Sequence, residues 1–238
     1  MAMKHFSSAD INGFAARQRA RFINSLSGFK SANLVATIDE QGITNLAMIS
    51  SVFHIGASPA LVGMIIRPTA VQPTPENNTP TENISAAENK AVPRNTLANI
   101  KRTGGYTINH VSADIYQQAH QTSARYDDAI SEFDAVGLTE TYIDGVAAPF
   151  VQQSQLKFSL SVREIVPLTI NNTILVIGEV THVLVDDAAV KTDGYIDIES
   201  LNTTTVSGLD SYHTTQRIAR LSYAKTNESL YQLPINGK

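Results

Sequence analysis

Hydrophobic positions in the first third of the chain fall into short runs of strand length. Residues 33–38, 43–49 and 61–66 are rich in aliphatic and β-branched side chains, which favour strands. The segment Asp39-Glu40-Gln41-Gly42 separates the first two runs and predicts a turn, because Gly supplies left-handed backbone at its end. The pattern predicts a hairpin followed by a third, buried strand.

Two longer runs occupy the second half of the chain. Residues 151–166 alternate partly between apolar and polar side chains, and residues 173–185 form the next run. Asn171-Asn172 lies between them and predicts a turn. We therefore expect a long hairpin here, followed by a less regular segment over residues 201–238.

Three segments predict helices around these strands. The first begins at Ser7, Ser8 and Asp10, which can cap a helix, and ends near Gly28. The second covers residues 94–100, is closed by Gly104-Gly105 and leads into a strand over residues 106–111. The third begins at Ser112 and extends to about residue 124.

These elements predict one domain over residues 1–238, since no linker separates two independent cores. The fold class is mainly β with flanking helices, arranged as a closed antiparallel Greek-key barrel, because closure removes exposed sheet edges. Residues 70–92 are rich in Pro, Asn and Thr and predict an inserted surface loop. This loop is either a lid or a solvated excursion without function.

Composition narrows the possible functions. The net charge of −4 and the pI of about 5.8 argue against a nucleic-acid partner. The chain has no Cys and no H-x-x-x-H pair, so thiol catalysis and a metal site are not indicated. It has neither a signal-peptide pattern nor an apolar run long enough to cross a bilayer. We expect a cytoplasmic protein without a membrane partner.

No common catalytic pattern is present, because the chain lacks both a G-x-S-x-G elbow and a glycine-rich phosphate loop. Small polar residues instead gather at predicted strand ends, in residues 44–52, 94–96 and 108–110. The helix start at Arg94 and Thr96 could bind an anion, since free backbone N–H groups point out of a helix N-terminus. Thr96 could equally be an ordinary helix cap.

Several segments, in their order and spacing, resemble the flavin reductase-like family of FMN-binding split β-barrel proteins. The segments that carry the resemblance are residues 32–37, 42–47, 50–55, 58–59, 65–68, 94–100, 107–111, 131–133, 137–139 and 177–180. The resemblance implies a Greek-key antiparallel split β-barrel that binds FMN non-covalently at the interface of a homodimer.

The resemblance also implies roles for individual residues. Asn45 and the backbone of the next segment would face the flavin ring and its ribityl chain; that segment is Met48, Ile49, Ser50, Ser51 and Val52. Arg67, Arg94 and Thr96 would hold the phosphate, and Asn109 would lie close to the flavin. From the residues alone, Ser50 and Ser51 could be ordinary strand-end residues, and Asn109 could be a buried amide that is satisfied by neighbouring strands.

The implied activity is an NAD(P)H:flavin reductase, which transfers a hydride from nicotinamide to flavin. The segment 207–213 departs from the R-L-G-G-x-x-Y run of many such reductases, because the Arg is absent. An FMN-binding electron carrier without its own nicotinamide site is therefore the alternative, and a dimer that has lost the cofactor is a third. His213 is a weak catalytic candidate that could also have a surface or interface role, and Tyr212 is expected to pack, with a partner for its hydroxyl.

Overall fold

The computed structural model describes residues 3–67, 95–124, 126–127 and 130–237. The predicted 70–92 loop and Arg94 lie outside these residues. The strands are β1 (Lys30–Ser31), β2 (Asn33–Ile38), β3 (Thr44–Ile49), β4 (Val52–Ala57), β5 (Ala60–Ile66), β6 (Gly105–His110), β7 (Glu140–Thr141), β8 (Phe150–Val151), β9 (Leu156–Leu168), β10 (Thr173–Val185), β11 (Thr204–Ser207), β12 (Ser211–Thr214), β13 (Arg220–Leu221) and β14 (Gln232–Leu233). The protein is mainly β, as the hydrophobic pattern predicts.

One seven-stranded antiparallel sheet dominates, with the spatial order β3-β2-β6-β9-β10-β5-β4. Its two edge strands, β3 and β4, are consecutive in the chain and are separated only by Ser50 and Ser51. The sheet must therefore curl until its edges approach each other. No ladder joins β3 to β4 among the described strands, so this boundary, which we call the seam, remains split.

A second, three-stranded sheet has the order β1-β11-β12 and lies beside the main one. It forms because Lys30 and Ser31 pair with Val206 and Thr205. A sequence reading based on local periodicity misses β1, since two residues carry no pattern. This long-range pairing brings the segment after residue 204 to the start of the barrel.

The helices are α1 (Ser8–Asn12), α2 (Ala16–Leu26), α3 (Asn95–Thr103), α4 (Tyr116–Gln121) and α5 (Glu132–Val136), with a 3-10 turn at Asp187–Ala189. The predicted N-terminal helix is two helices, because Gly13 ends α1 and the chain re-enters at Ala16. The predicted 112–124 helix is shorter, since Ser112 forms a β-bridge with Thr203. None of the described helices has the length and apolar character to cross a bilayer.

The core has two parts, one on each face of β2. Leu34 and Ala36 belong to the first cluster, which is covered by α4 and α5 through residues such as Phe133. Val35 points the other way, into the barrel, where Ile108 and Val176 are fully buried. Burial on both faces explains why β2 reads as a continuous apolar run rather than as an alternating one.

His110 makes the fold sensitive to acid. Its Nδ1 atom is buried and has no hydrogen-bond partner among the described residues, and burial lowers the pKa of His110 from 6.5 to about 4. Between these two values the unfolded chain binds a proton that the folded chain does not. Stability should therefore fall as the pH drops from about 6.5 to 4, by at most about 3 kcal/mol.

Urea unfolding at pH 7 and at pH 4.5 measures this loss. The His110→Gln variant, which cannot take up the proton, should lose clearly less stability between the two pH values. An identical acid loss in both proteins would show that His110 is not responsible.

Candidate functional site

A cavity of about 680 Å³ opens at the seam, and we call it the seam cavity. Its walls come from the end of β3, the end of β5, the start of α3, the end of α4 and the small sheet. The predicted site residues that line it are Asn45, Met48, Ile49, Ser50, Ser51, Arg67 and Thr96. Predicted residues from three separate stretches of the chain thus meet at one opening.

Two predicted residues lie elsewhere. Asn109 is fully buried: its amide nitrogen donates to the Leu34 carbonyl (3.1 Å) and to Thr107 Oγ1 (3.0 Å), and its oxygen accepts from the Val151 N–H (2.9 Å). This geometry matches the alternative of a satisfied buried amide. Val52 packs against the barrel interior and is not among the residues that line the seam cavity. Arg94 is outside the described residues.

Ser51 bonds the connection between β3 and β4 to β5. Its hydroxyl donates to the Ile65 carbonyl (2.8 Å), and its own carbonyl accepts from the Ile65 N–H (3.0 Å). The link between the sheet edges is therefore held in place, although it belongs to no ladder. The fixed backbone at Ser50 and Ser51 can offer hydrogen-bonding groups to a ligand in the cavity.

A chain of polar side chains forms one wall. Glu132 Oε2 accepts from Asn45 Nδ2 (2.7 Å) and from the Leu46 N–H (2.9 Å). Asn45 Oδ1 in turn accepts from Thr96 Oγ1 (2.8 Å). These bonds connect α5, β3 and α3, so the chain fixes both the backbone positions and the side-chain orientations of this wall.

Two cations lie at another wall. The Lys30 ammonium donates to the carbonyls of Asn24 (2.8 Å) and Gly208 (3.2 Å) and to Ser27 Oγ (3.3 Å). Burial, together with the nearby positive charge of Arg67, lowers the pKa of Lys30. Arg67 is exposed and makes one long bond, 3.4 Å, to Asn24 Oδ1. This pair gives the cavity a positive end that suits an anionic group.

An aromatic pair borders the same opening. His120 Nδ1 lies 3.0 Å from the Tyr212 hydroxyl, and the Tyr116 ring packs against Tyr212 at a tilt of 50°, with ring centroids 5.5 Å apart. Burial, and to a lesser degree Asp210, raise the pKa of Tyr212. Tyr212 therefore packs and finds a hydroxyl partner, but it also lines the seam cavity, as His120 does.

The family model for the flavin reductase like domain matches residues 26–200. The chain belongs to this family. Its resemblance to the flavin reductase-like proteins is thereby confirmed over most of its length. The matched range ends before β11, so the segment that contains Tyr212 lies beyond the family model.

Solved structures agree with this flavin reductase-like assignment. One of them is a protein from Shewanella frigidimarina NCIMB 400 that is described provisionally as a flavin reductase with split barrel domain. Its sequence is 52% identical to this chain and the TM-score is 0.82. The match covers 93% of this chain and 100% of that chain. Flavoredoxin of Desulfovibrio vulgaris (Miyazaki F) shares 18% identity at a TM-score of 0.61, with 85% and 93% covered. The NADH:FAD oxidoreductase SgcE6 of Streptomyces globisporus C-1027 shares 11% identity at a TM-score of 0.62, with 91% and 100% covered.

These likenesses confirm the split-barrel fold that the sequence predicts. The two remote structures, at 18% and 11% identity, support the fold alone. No curated protein matches the chain.

His213 is not brought to the cavity of this flavin reductase-like chain. Its Nε2 atom lies 2.9 Å from Ser207 Oγ, and its ring stacks edge-on against Phe29 at 4.9 Å. It is not among the described residues that line the cavity. Its neighbours Gly208, Leu209 and Tyr212 do line it, so the segment contributes to the wall through other residues.

Lys30, His120 and Glu132 are among the cavity residues that sequence reasoning leaves out. Glu132 stands in a segment that carries the family resemblance, but nothing in its local pattern connects it to Asn45, 87 positions away. Lys30 reaches Gly208 across 178 positions. Only an observed ladder between β1 and β11 could have revealed this proximity.

Proposed function

We propose that this chain is an FMN-dependent oxidoreductase of the NAD(P)H:flavin reductase type, with FMN in the seam cavity. The observation that carries the proposal is the cavity itself, in which seven predicted site residues meet around about 680 Å³. Cofactor pockets commonly have volumes of this order. The family match and the NADH:FAD oxidoreductase among the similar structures support a redox flavin protein.

The donors of the cavity fit a phosphorylated flavin. Arg67 offers an exposed guanidinium with most of its N–H groups free among the described residues, and Lys30 adds positive charge beside it. The backbone of residues 48–51 would bind the polar edge of the ring, and Asn45 and Thr96 would bind further polar groups. FMN, when bound, supplies the hydride chemistry, while these residues orient it and exclude water.

The direct experiment is a spectrum of the purified protein, followed by anaerobic addition of NADH or NADPH. We expect flavin absorption, either as purified or after titration of the apoprotein with FMN, and bleaching by at least one nicotinamide. Flavin absorption that neither nucleotide bleaches would remove the reductase assignment.

An electron carrier without its own nicotinamide site is the second candidate. It is favoured by segment 207–213, which lacks the Arg of the R-L-G-G-x-x-Y run and places Leu209 and Tyr212 in the cavity wall. The likeness to a flavoredoxin agrees with it. Bleaching by dithionite, but not by NADH or NADPH, would select this candidate. A failure to bind any flavin would select a protein that has lost the cofactor.

We further propose that the protein acts in the cytoplasm, where NAD(P)H is available, and as a homodimer. Phe53 and Ile55 are exposed to 44% and 40% on the outer face of β4. Their side chains lie over Gly63, in the space that a side chain there would take. A second copy on this face would cover these apolar groups close to the seam. Light scattering on the purified protein tests the dimer.

A further inference from the structure

The polar chain at the seam has a fixed hydrogen-bond polarity. Glu132 Oε2 accepts hydrogen bonds from two N–H groups, because a carboxylate has no proton to donate. Asn45 must therefore direct its amide nitrogen toward Glu132. Its carbonyl oxygen then faces Thr96, and the Thr96 hydroxyl must be the donor of the 2.8 Å bond. Thr37 and Asn99 follow the same direction, since Asn99 Nδ2 donates to Thr37 Oγ1 (3.1 Å).

This polarity decides what the wall can offer a ligand. The one proton of the Thr96 hydroxyl is engaged with Asn45, so toward the cavity this hydroxyl presents lone pairs only. Glu132 lines the cavity too, and its second oxygen, Oε1, has no partner among the described residues. The wall formed by Thr96 and Glu132 is therefore a surface of hydrogen-bond acceptors.

We propose that this acceptor wall is a subsite for the hydroxyl groups of a polyol chain, and not for a phosphate. A phosphate at neutral pH is an anionic acceptor, so lone pairs and a carboxylate repel it, whereas a hydroxyl group donates to them. The inference rests on the proposed function, in which the polyol is the ribityl chain of FMN. It moves the Thr96 hydroxyl from the phosphate site to the ribityl site.

The phosphate then belongs at the positive end of the cavity. The three N–H groups of Lys30 are already engaged by Asn24, Ser27 and Gly208, so Lys30 contributes its charge rather than a hydrogen bond. Arg67 makes one bond of 3.4 Å to the part of the chain that the structure describes, and its other N–H groups are available to donate there. The backbone N–H groups at the start of α3 are a separate resource that does not involve the Thr96 hydroxyl.

The test compares FMN with riboflavin, which has the same ribityl chain but no phosphate. Dissociation constants of both are measured by flavin fluorescence with the natural protein and with Thr96→Val, which keeps the shape and removes the hydroxyl. We expect Thr96→Val to weaken FMN and riboflavin by the same factor, about three- to tenfold, because one neutral hydrogen bond is lost. Thr96→Ser should bind both flavins like the natural protein.

Each other outcome has a defined meaning. A loss for FMN that clearly exceeds the loss for riboflavin would return Thr96 to the phosphate site and overturn the inference, as would no loss for either flavin. If the natural protein binds neither flavin, the proposed function fails instead. A crystal structure with FMN gives an independent answer: a ribityl hydroxyl bonded to Thr96 Oγ1 or Glu132 supports the inference, and a phosphate oxygen or no contact at these atoms overturns it.

Discussion

We expect Gly178→Ala to lower the free energy of unfolding by about 2–4 kcal/mol relative to the natural protein. Gly178 lies in β10, inside the barrel, where a Cβ atom would clash with the Tyr106 hydroxyl oxygen and would stand 2.9 Å from Leu160 Cβ. Both neighbours belong to the buried core and neither can swing into solvent. Urea unfolding followed by circular dichroism measures the change in the free energy of unfolding.

Gly63→Ala is the matched control, because Gly63 lies on the neighbouring strand β5. A Cβ there would meet the ring of Phe53 at 2.8 Å and Ile55 Cδ1 at 2.9 Å, but these are the ends of side chains that are half exposed in a single copy of the chain, and they can shift without displacing the buried core. We expect a cost below about 1 kcal/mol. Equal destabilisation by the two substitutions would contradict the distinction between the closed and the open environment.

Tyr106→Phe tests the same packing from the other side. The Tyr106 hydroxyl is buried without a partner among the described residues, and burial raises the pKa of Tyr106 far above its usual value. Its removal should leave stability unchanged or raise it by about 1 kcal/mol. In the double variant it should recover part of the loss caused by Gly178→Ala, since the contact with Leu160 remains.

Arg67→Ala is expected to weaken FMN binding about tenfold at low salt and to leave riboflavin nearly unaffected, since only FMN carries the phosphate. Arg67 borders the cavity, and among the described residues its guanidinium is held only by the long bond to Asn24. Arg102→Ala, on the exposed last turn of α3, removes an equal charge away from the cavity and serves as the control. A parallel loss of riboflavin would place the phosphate elsewhere.

Lys30 and Arg67, the two cations at the positive end of the cavity, also predict how the affinity for FMN depends on pH. Because burial and Arg67 lower the pKa of Lys30, this side chain loses its charge at a lower pH than an ordinary lysine does. As the pH is raised, the affinity for FMN should therefore begin to fall before an ordinary lysine, with a pKa of 10.5, would lose its charge, and it should fall more than the affinity for riboflavin, which corrects for titration of the flavin ring.

The sequence predicts most of the sheet, because its inner strands carry continuous or alternating apolar runs bounded by turns. The predicted bounds of β2 and β10 coincide with the observed ones. β4 carries no such signal, since it is an edge strand with most of its side chains exposed. The predicted 151–166 strand divides into β8 and β9 because Ser154 turns the chain and bonds to the His110 carbonyl.

The candidate site, like the fold, could be predicted from the sequence only in part. Met48 to Ser51, Arg67 and Thr96 could be proposed from the family resemblance, and they do line one cavity. The direction of the Asn45 amide could not, because it depends on Glu132 in a distant helix. Asn109 carries the same polar side chain as Asn45, yet its partners are all in the core. Residue type alone does not show whether a side chain lines the cavity or is buried in the core.

The number of residues between β3 and β4, at present only Ser50 and Ser51, limits how far apart these two strands can lie and therefore how wide the cavity can open. This connection is the covalent joint between two strands that lie at opposite ends of one sheet. Each inserted residue could add up to about 3.5 Å of reach without disturbing any strand pairing. Evolution could therefore resize the entrance of such a barrel by lengthening one joint, while the rest of the scaffold stays as it is.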